Sequence, residues 1–346
     1  MNELLDLLFR VCVPLAFEAA SVFLLGFALI PLLRAKKTGR MERRLGKRFA
    51  ADGSEPSMGG VLMGLAFAVW YLPNCFAARL ASTAVSQDSC GGLISAGVYA
   101  LLIMLIGVYE DREKQFRGRP FALKPTLRLL AELMLSLTLL ISISLFGGRD
   151  TAVMLPFRLG YLELGIFYYP LTAIIMTLAI HAFDLHFCAG SDQSKSVGGL
   201  NEVSGALTFI TLALCCETAY SLAGSFLAVY AAACCTGMLM WTFPPAKLIT
   251  GQSGAMLTGG LFAACVVLSK MELLFFTAAL PQLISGAYVL ICHLKKNKTD
   301  QPRSFSEKLR QAGLTDIRIL LVSAVMSLVG GALSLLLALY AHSTRL

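Results

Sequence analysis

Apolar runs close to the length of a membrane crossing recur from one end of this chain to the other, and few folds can absorb them. An α-helix needs roughly 20 such residues to cross a hydrocarbon core about 30 Å thick. Runs of that kind occupy 11–33, 58–76, 93–109, 127–146, 165–183, 205–222, 225–243, 254–269, 272–292 and 317–340. A cleaved signal peptide would account for a single run near the N-terminus and leave the others unexplained. Backbone polar groups inside lipid must bond within their own segment, which selects helices. The pattern predicts an all-α integral membrane protein with about ten transmembrane helices, residues 1–346 forming a single polytopic membrane domain. Composition agrees. A 57% hydrophobic content leaves too little polar sequence to coat a soluble globule of 346 residues.

The formal charge of +8 is concentrated in connecting segments. Segment 34–56 carries Arg34, Lys36, Lys37, Arg40, Arg43, Arg44, Lys47 and Arg48. The segment after the third run carries Arg112, Lys114, Arg117, Arg119 and Lys124, and the one after the ninth carries Lys295, Lys296, Lys298, Arg303, Lys308 and Arg310. The alternate connections hold only Arg79, Arg149, Arg158 and Lys270. The positive-inside bias therefore places the basic segments in the cytoplasm and both termini on the extracytoplasmic side. The same distribution argues against nucleic acid as a partner, because the basic residues are not interleaved with aromatics on one face. Ten cysteines are present without C-x-x-C spacing, and most lie in apolar runs, so they read as small packing residues.

With this topology, polar segments converge on the cytoplasmic end and predict a polar cleft there. Glu110 and Asp111 end the third run as adjacent carboxylates, either hard-oxygen ligands for a divalent cation or ordinary interfacial charges. Arg128 lies just inside the fourth run, where a cation either snorkels to the interface or meets an anion. The stretch 181–192 mixes His181, Asp184, His186 and Asp192 and leads through a glycine-bearing loop to Glu202, a composition suited to ligand contact or to a solvated loop. Glu18 has no evident partner, and apart from it no charge stands mid-bilayer, which weakens an ion-coupled transporter reading. Two prolines at 244 and 245 stop the seventh helix. Lys247 and the turn 251–254, G-Q-S-G, then open the eighth, where free backbone N–H groups suit a phosphate.

Residues 243–260, F-P-P-A-K-L-I-T-G-Q-S-G-A-M-L-T-G-G, resemble the string F-P-P-A-K/R-x-F-M-G-D-x-G-S-L-x-L-G-G of the polyprenyl-phosphate N-acetylhexosamine-1-phosphate transferases, glycosyltransferase family 4. Residues 55–60, E-P-S-M-G-G, resemble that family's T-P-T-M-G-G, and 107–111, G-V-Y-E-D, its G-F/L-x-D-D. Residues 123–128 are similar to L-S-P-x-x-K, 181–185 to N-x-x-N-L, and 199–205 to the D-G-L-D-G-L-A-G segment. Order and spacing match across nearly the whole chain.

The resemblance implies transfer of the sugar 1-phosphate of a UDP-activated amino sugar onto undecaprenyl phosphate, in cell-wall or envelope glycan synthesis, with release of UMP and use of Mg²⁺. It implies a multi-pass protein of the bacterial cell (inner) membrane, partnered by a UDP-amino sugar, an undecaprenyl-phosphate-type lipid and, as one option, a second copy of itself. Carried onto this sequence, it places Glu110, Asp111, Asn201 and Gln252 at catalytic positions and Lys114, Arg128, Asp184 and Lys247 at substrate-binding ones. Mg²⁺ would fall to Asp111 and, weakly, Gln252.

Several charge-handling positions depart from the family pattern. Glu110 stands for the first aspartate of the D-D pair, Asn201 for the aspartate of G-L-D-G, and Gln252 for the aspartate of M-G-D-x-G. A neutral amide binds a hard cation more weakly than a carboxylate. Asp52 or a neighbour lies where the family has a lysine, 303–306 lacks the triple histidine, and an insertion near 188–197 separates two motif halves. Two readings follow: a phospho-sugar transferase, or a catalytically inactive paralogue that binds carrier lipid or scaffolds envelope enzymes.

Overall fold

The computed structural model describes residues 2–35, 56–80, 87–117, 123–147, 151–154, 161–187, 197–218, 221–294 and 304–342. The helices are α1 (Asn2–Ala35), α2 (Gly59–Leu80), α3 (Gln87–Arg117), α4 (Pro125–Gly147), α5 (Tyr168–Phe187), α6 (Leu200–Thr218), α7 (Leu222–Thr242), α8 (Gly251–Leu268), α9 (Phe275–Ala278), α10 (Leu280–Leu294), α11 (Phe305–Gln311) and α12 (Asp316–His342). A two-stranded antiparallel hairpin, β1 (Ala152–Met154) and β2 (Tyr161–Glu163), joins α4 to α5, with Val153 paired to Leu162. Asp52, Asp192 and Arg303 lie outside the described residues, as does most of the insertion near 188–197.

Among the described residues, nine helices are long and apolar enough to cross a membrane. The expected ninth crossing at 272–292 is broken instead into a 3-10 turn (Glu272–Leu274), α9 and α10, whose apolar stretch Leu280–Cys292 is shorter than a full span. Pro281 sits in the first turn of α10, where its missing N–H costs nothing, so the helix restarts there. Three other boundaries also move. The third and fifth spans run on to Lys114 and Phe187, and the sixth begins at Leu200, so Glu110, Asp111, Asp184 and Asn201 stand on helices rather than in loops.

Lipid and protein interior are both apolar here, so helix faces are not distinguished by hydrophobicity. Phe17, Leu24 and Phe27 of α1 and Leu321, Leu328 and Leu336 of α12 are exposed, as lipid-facing side chains are. At the other extreme, 94% of the spanning window of α8 is buried, against 22% for α1 and α4. Neighbours reach α8 closely through glycines. A Cβ on Gly107 of α3 would come within 2.7 Å of Ser253 Cα, and one on Gly60 of α2 within 2.1 Å of Gly254 N. One on Gly259 of α8 itself would come within 2.9 Å of Ile180 Cα on α5.

The nine cysteines among the described residues, from Cys12 to Cys292, are free, and Cys75, Cys90, Cys215, Cys216, Cys234, Cys235 and Cys265 are buried, in keeping with packing roles. Glu18, which the sequence left without a partner, accepts a hydrogen bond from Cys234 Sγ at 2.9 Å.

Because the obstacle at Gly107 is backbone, Gly107→Ala is expected to force α3 from α8 and cost about 1–3 kcal/mol. Gly92→Ala, whose new methyl would meet Leu268 Cδ2 at 3.5 Å and Ile143 Cγ1 at 3.9 Å in ordinary van der Waals contact, is the tolerated control. Unfolding midpoints of the two purified variants, measured side by side, check this.

Candidate active site at one end of the bundle

The C-terminal ends of α3 and α5 meet the N-terminal ends of α2, α4 and α8, and α8 is held in place first. Ile249 N donates to Pro56 O at 2.9 Å, while Gly59 N and Gly60 N donate to Ile249 O and Thr250 O at 3.0 and 2.7 Å. The two sequence motifs that flank α2 and α8 are thus one paired segment. A starting helix leaves N–H groups without internal acceptors, and here α3 supplies the acceptor. Asp111 Oδ1 accepts from Gln252 N at 3.0 Å, and Oδ2 from Ser253 N at 2.9 Å and Ser253 Oγ at 2.8 Å. Gly251 has φ +77°, and a Cβ there would lie 2.5 Å from Asp111 Oδ2, so only glycine admits the carboxylate.

Arg128 organises the second part of the site. Its Nη1 lies 3.3 Å from Glu110 Oε2 on α3, its Nε 2.8 Å from Glu132 Oε1 on its own helix, and its Nη2 2.9 Å from Asp184 Oδ2 on α5. All four side chains are buried. A planar guanidinium with five donors suits several carboxylates at once in a way an ammonium does not. Sequence alone left Arg128 between snorkelling and meeting an anion, and the second is what it does. His181 Nε2 approaches the other oxygen of Glu132 at 3.1 Å. Gln252 links the two parts: its Nε2 donates to Asp184 Oδ2 at 3.1 Å, and its Oε1 accepts from Lys114 Nζ.

Six of the eight site positions read from the sequence therefore come together: Glu110, Asp111, Lys114, Arg128, Asp184 and Gln252. Asn201 stands apart, exchanging hydrogen bonds with Thr258 deeper along α8. Lys247 is exposed, its Nζ 5.7 Å from the centre of the Trp241 ring. Sequence reasoning missed Glu132 and passed over Glu202, which accepts from Thr250 Oγ1 just before α8. Glu132 had a signal, its i,i+4 spacing from Arg128 on one helix face. It also adds a charge inside a span where only Glu18 was expected.

The donor set decides which cation the cluster suits. Magnesium asks for near-octahedral oxygen ligands with several waters retained. Asp111 Oδ1 accepts one N–H and Oδ2 an N–H and an O–H, and the carbonyl oxygen of Gln252 accepts from the ammonium of Lys114. Glu110, Glu132 and Asp184 each turn an oxygen to Arg128. Among the described residues, no group of three or more His, Cys, Asp or Glu side chains is placed to hold a metal. The residues as arranged do not fit the magnesium that the resemblance implies at Asp111 and Gln252.

Fold and site together define a polytopic helical membrane protein with a polar centre of buried carboxylates joined by Arg128 at one end of its bundle, built on the glycine-rich turn into α8. The model of glycosyl transferase family 4 matches residues 93–270, and the chain belongs to that family. It is 27% identical over 295 residues to a phospho-N-acetylmuramoyl-pentapeptide-transferase of Desulfitobacterium hafniense, covering 81% of this chain and 80% of the relative. It is 30% identical over 257 residues to the enzyme of that name from Symbiobacterium thermophilum, covering 74% and 72%. With the one from Carboxydothermus hydrogenoformans it shares 26% identity over 319 residues, covering 88% and 91%.

Removing the guanidinium strands buried carboxylates. Arg128→Ala is expected to destabilise the fold by about 3–5 kcal/mol, with Arg128→Lys losing less. Denaturation of the purified variants in detergent provides the check, and an Arg128→Ala protein as stable as the parent would contradict the arrangement.

Proposed function

We propose that this chain is a phospho-sugar transferase of the cytoplasmic membrane face, moving the sugar 1-phosphate of a UDP-activated amino sugar onto an undecaprenyl-phosphate-type lipid. The observation that carries this reading is the assembly, at one end of the bundle, of five residues from motif segments scattered between 107 and 260, with Lys114 one turn beyond the first of them. In the transfer, an oxygen of the lipid phosphate bonds to the phosphorus bearing the sugar. The bond from that phosphorus to the bridging oxygen of UMP breaks, and UMP leaves with the electron pair.

Residues of this chain would serve binding and orientation. Arg112, Lys124 and Lys247 are exposed and half-exposed Lys114 borders the centre, so these cations would offer the phosphates charge. Buried Arg128, committed to its carboxylates, holds the frame rather than the substrate. The basic loops would face the cytoplasm of a bacterial inner membrane, with lipid admitted sideways from the bilayer. The family carries a divalent-metal dependence in general.

A second reading has its own support. Gln252 and Asn201 are amides where the family has carboxylates, and Gln252 is locked between Lys114 and Asp184. A centre closed in this way favours binding of carrier lipid without transfer.

One assay separates the two. Purified protein is given undecaprenyl phosphate and a radiolabelled UDP-amino sugar, and label is followed into lipid. The transferase reading expects product, reduced about tenfold or more by Lys114→Ala through loss of a charged contact. Saturable retention of the lipid with no product under any UDP-amino sugar would sink that reading in favour of the second.

A further inference from the structure

We propose that the acidic centre of this chain is bridged from within, by the Arg128 guanidinium and the Gln252 amide, in the place where a divalent cation would sit, and does not take one up. The proposal rests on reading this cluster as the family's polar centre, and goes beyond it by assigning the cation.

Two independent geometries support it. The first is the guanidinium of Arg128, which joins oxygens from α3, α4 and α5 within 3.3 Å. Bridging carboxylates from separate helices is what a bound cation would do, and a fixed side chain does it without desolvating an ion each time. The second is the polarity of Gln252. Its N–H side faces Asp184 and its carbonyl faces Lys114. A carboxylate at 252 would set two anions side by side with Asp184, an opening that a doubly charged ion fills. The amide closes that opening with a direct N–H···O bond. Asp111 faces away from this opening, its carboxylate turned to the first N–H groups of α8.

The same geometry says how metal binding could be restored. Gln252→Asp shortens the side chain and Gln252→Glu keeps its length, and either replaces the N–H donor facing Asp184 with an oxygen. Lys114 would then meet an anion, and Arg128 would still hold the other side of Asp184.

The test counts bound manganese by electron paramagnetic resonance on the full chain in detergent micelles, and requires no turnover. The unaltered protein is expected to show no saturable site below about 1 mM, and at least one folded carboxylate variant to gain a single site about tenfold tighter or better. Two variants guard against one failing to fold, which a melting curve reveals. One manganese per unaltered chain bound below about 100 μM, and lost in Asp184→Asn, would overturn the proposal. So would silence from both variants when both are folded. If the protein transfers sugar phosphate, chelator should leave the rate unchanged, whereas failure of the transferase reading would appear as absent product with the manganese result untouched.

Discussion

Charge buried at the end of a helical bundle must be answered by fixed charge, and Arg128 gives that answer to three carboxylates at once. The heads and tails of α3, α4 and α5 are bound together through it, while α8 is tied in by Gln252 on one side and Asp111 on the other. In a bilayer these ends have no hydrophobic drive to associate, because lipid tails solvate apolar faces as well as other helices do. Polar ties and close backbone packing therefore set which ends meet. Asp111 does this most directly: by capping a helix that begins on another part of the chain, it fixes where every other residue of the turn points.

Much of the architecture was legible before any coordinates. Nine of the ten expected crossings appear as long apolar helices among the described residues, and the motif segments converge. What the sequence could not give was the extent of each helix across its polar end. Hydropathy falls at Glu110 and ends the expected span there, yet α3 continues as a helix to Arg117 because each added residue still forms its backbone bond and Glu110 and Asp111 find buried partners. The break before α10 is hidden for the converse reason: residues 273–292 carry no charge, and only the proline reports the interruption. Glu132 was hidden by its setting, a lone acid in an apolar run whose significance depends on Arg128 one turn earlier.

Substitutions at the family's charge positions look different once placed together. Read singly, Glu110 for aspartate and Gln252 for aspartate are losses of ligand quality. In three dimensions they belong to one arrangement, in which the longer arm of Glu110 comes within reach of the guanidinium and the amide of Gln252 supplies a donor to Asp184 and an acceptor to Lys114. A set of compensating changes has physical coherence that scattered decay would lack. Asn201, by contrast, pairs with Thr258 away from the cluster and belongs to the packing of α6 on α8.

The glycines of the motif segments carry a lesson about kinship. Gly60, Gly107, Gly251 and Gly254 each stand where a side chain would strike a neighbouring backbone, the Asp111 carboxylate or the Thr250 methyl. Their presence follows from how tightly these helices nest, whatever chemistry the finished bundle performs. A lineage that abandoned its ancestral reaction would still be obliged to keep them, so the most recognisable letters of such a signature record inherited shape, and its acids and amides record trade.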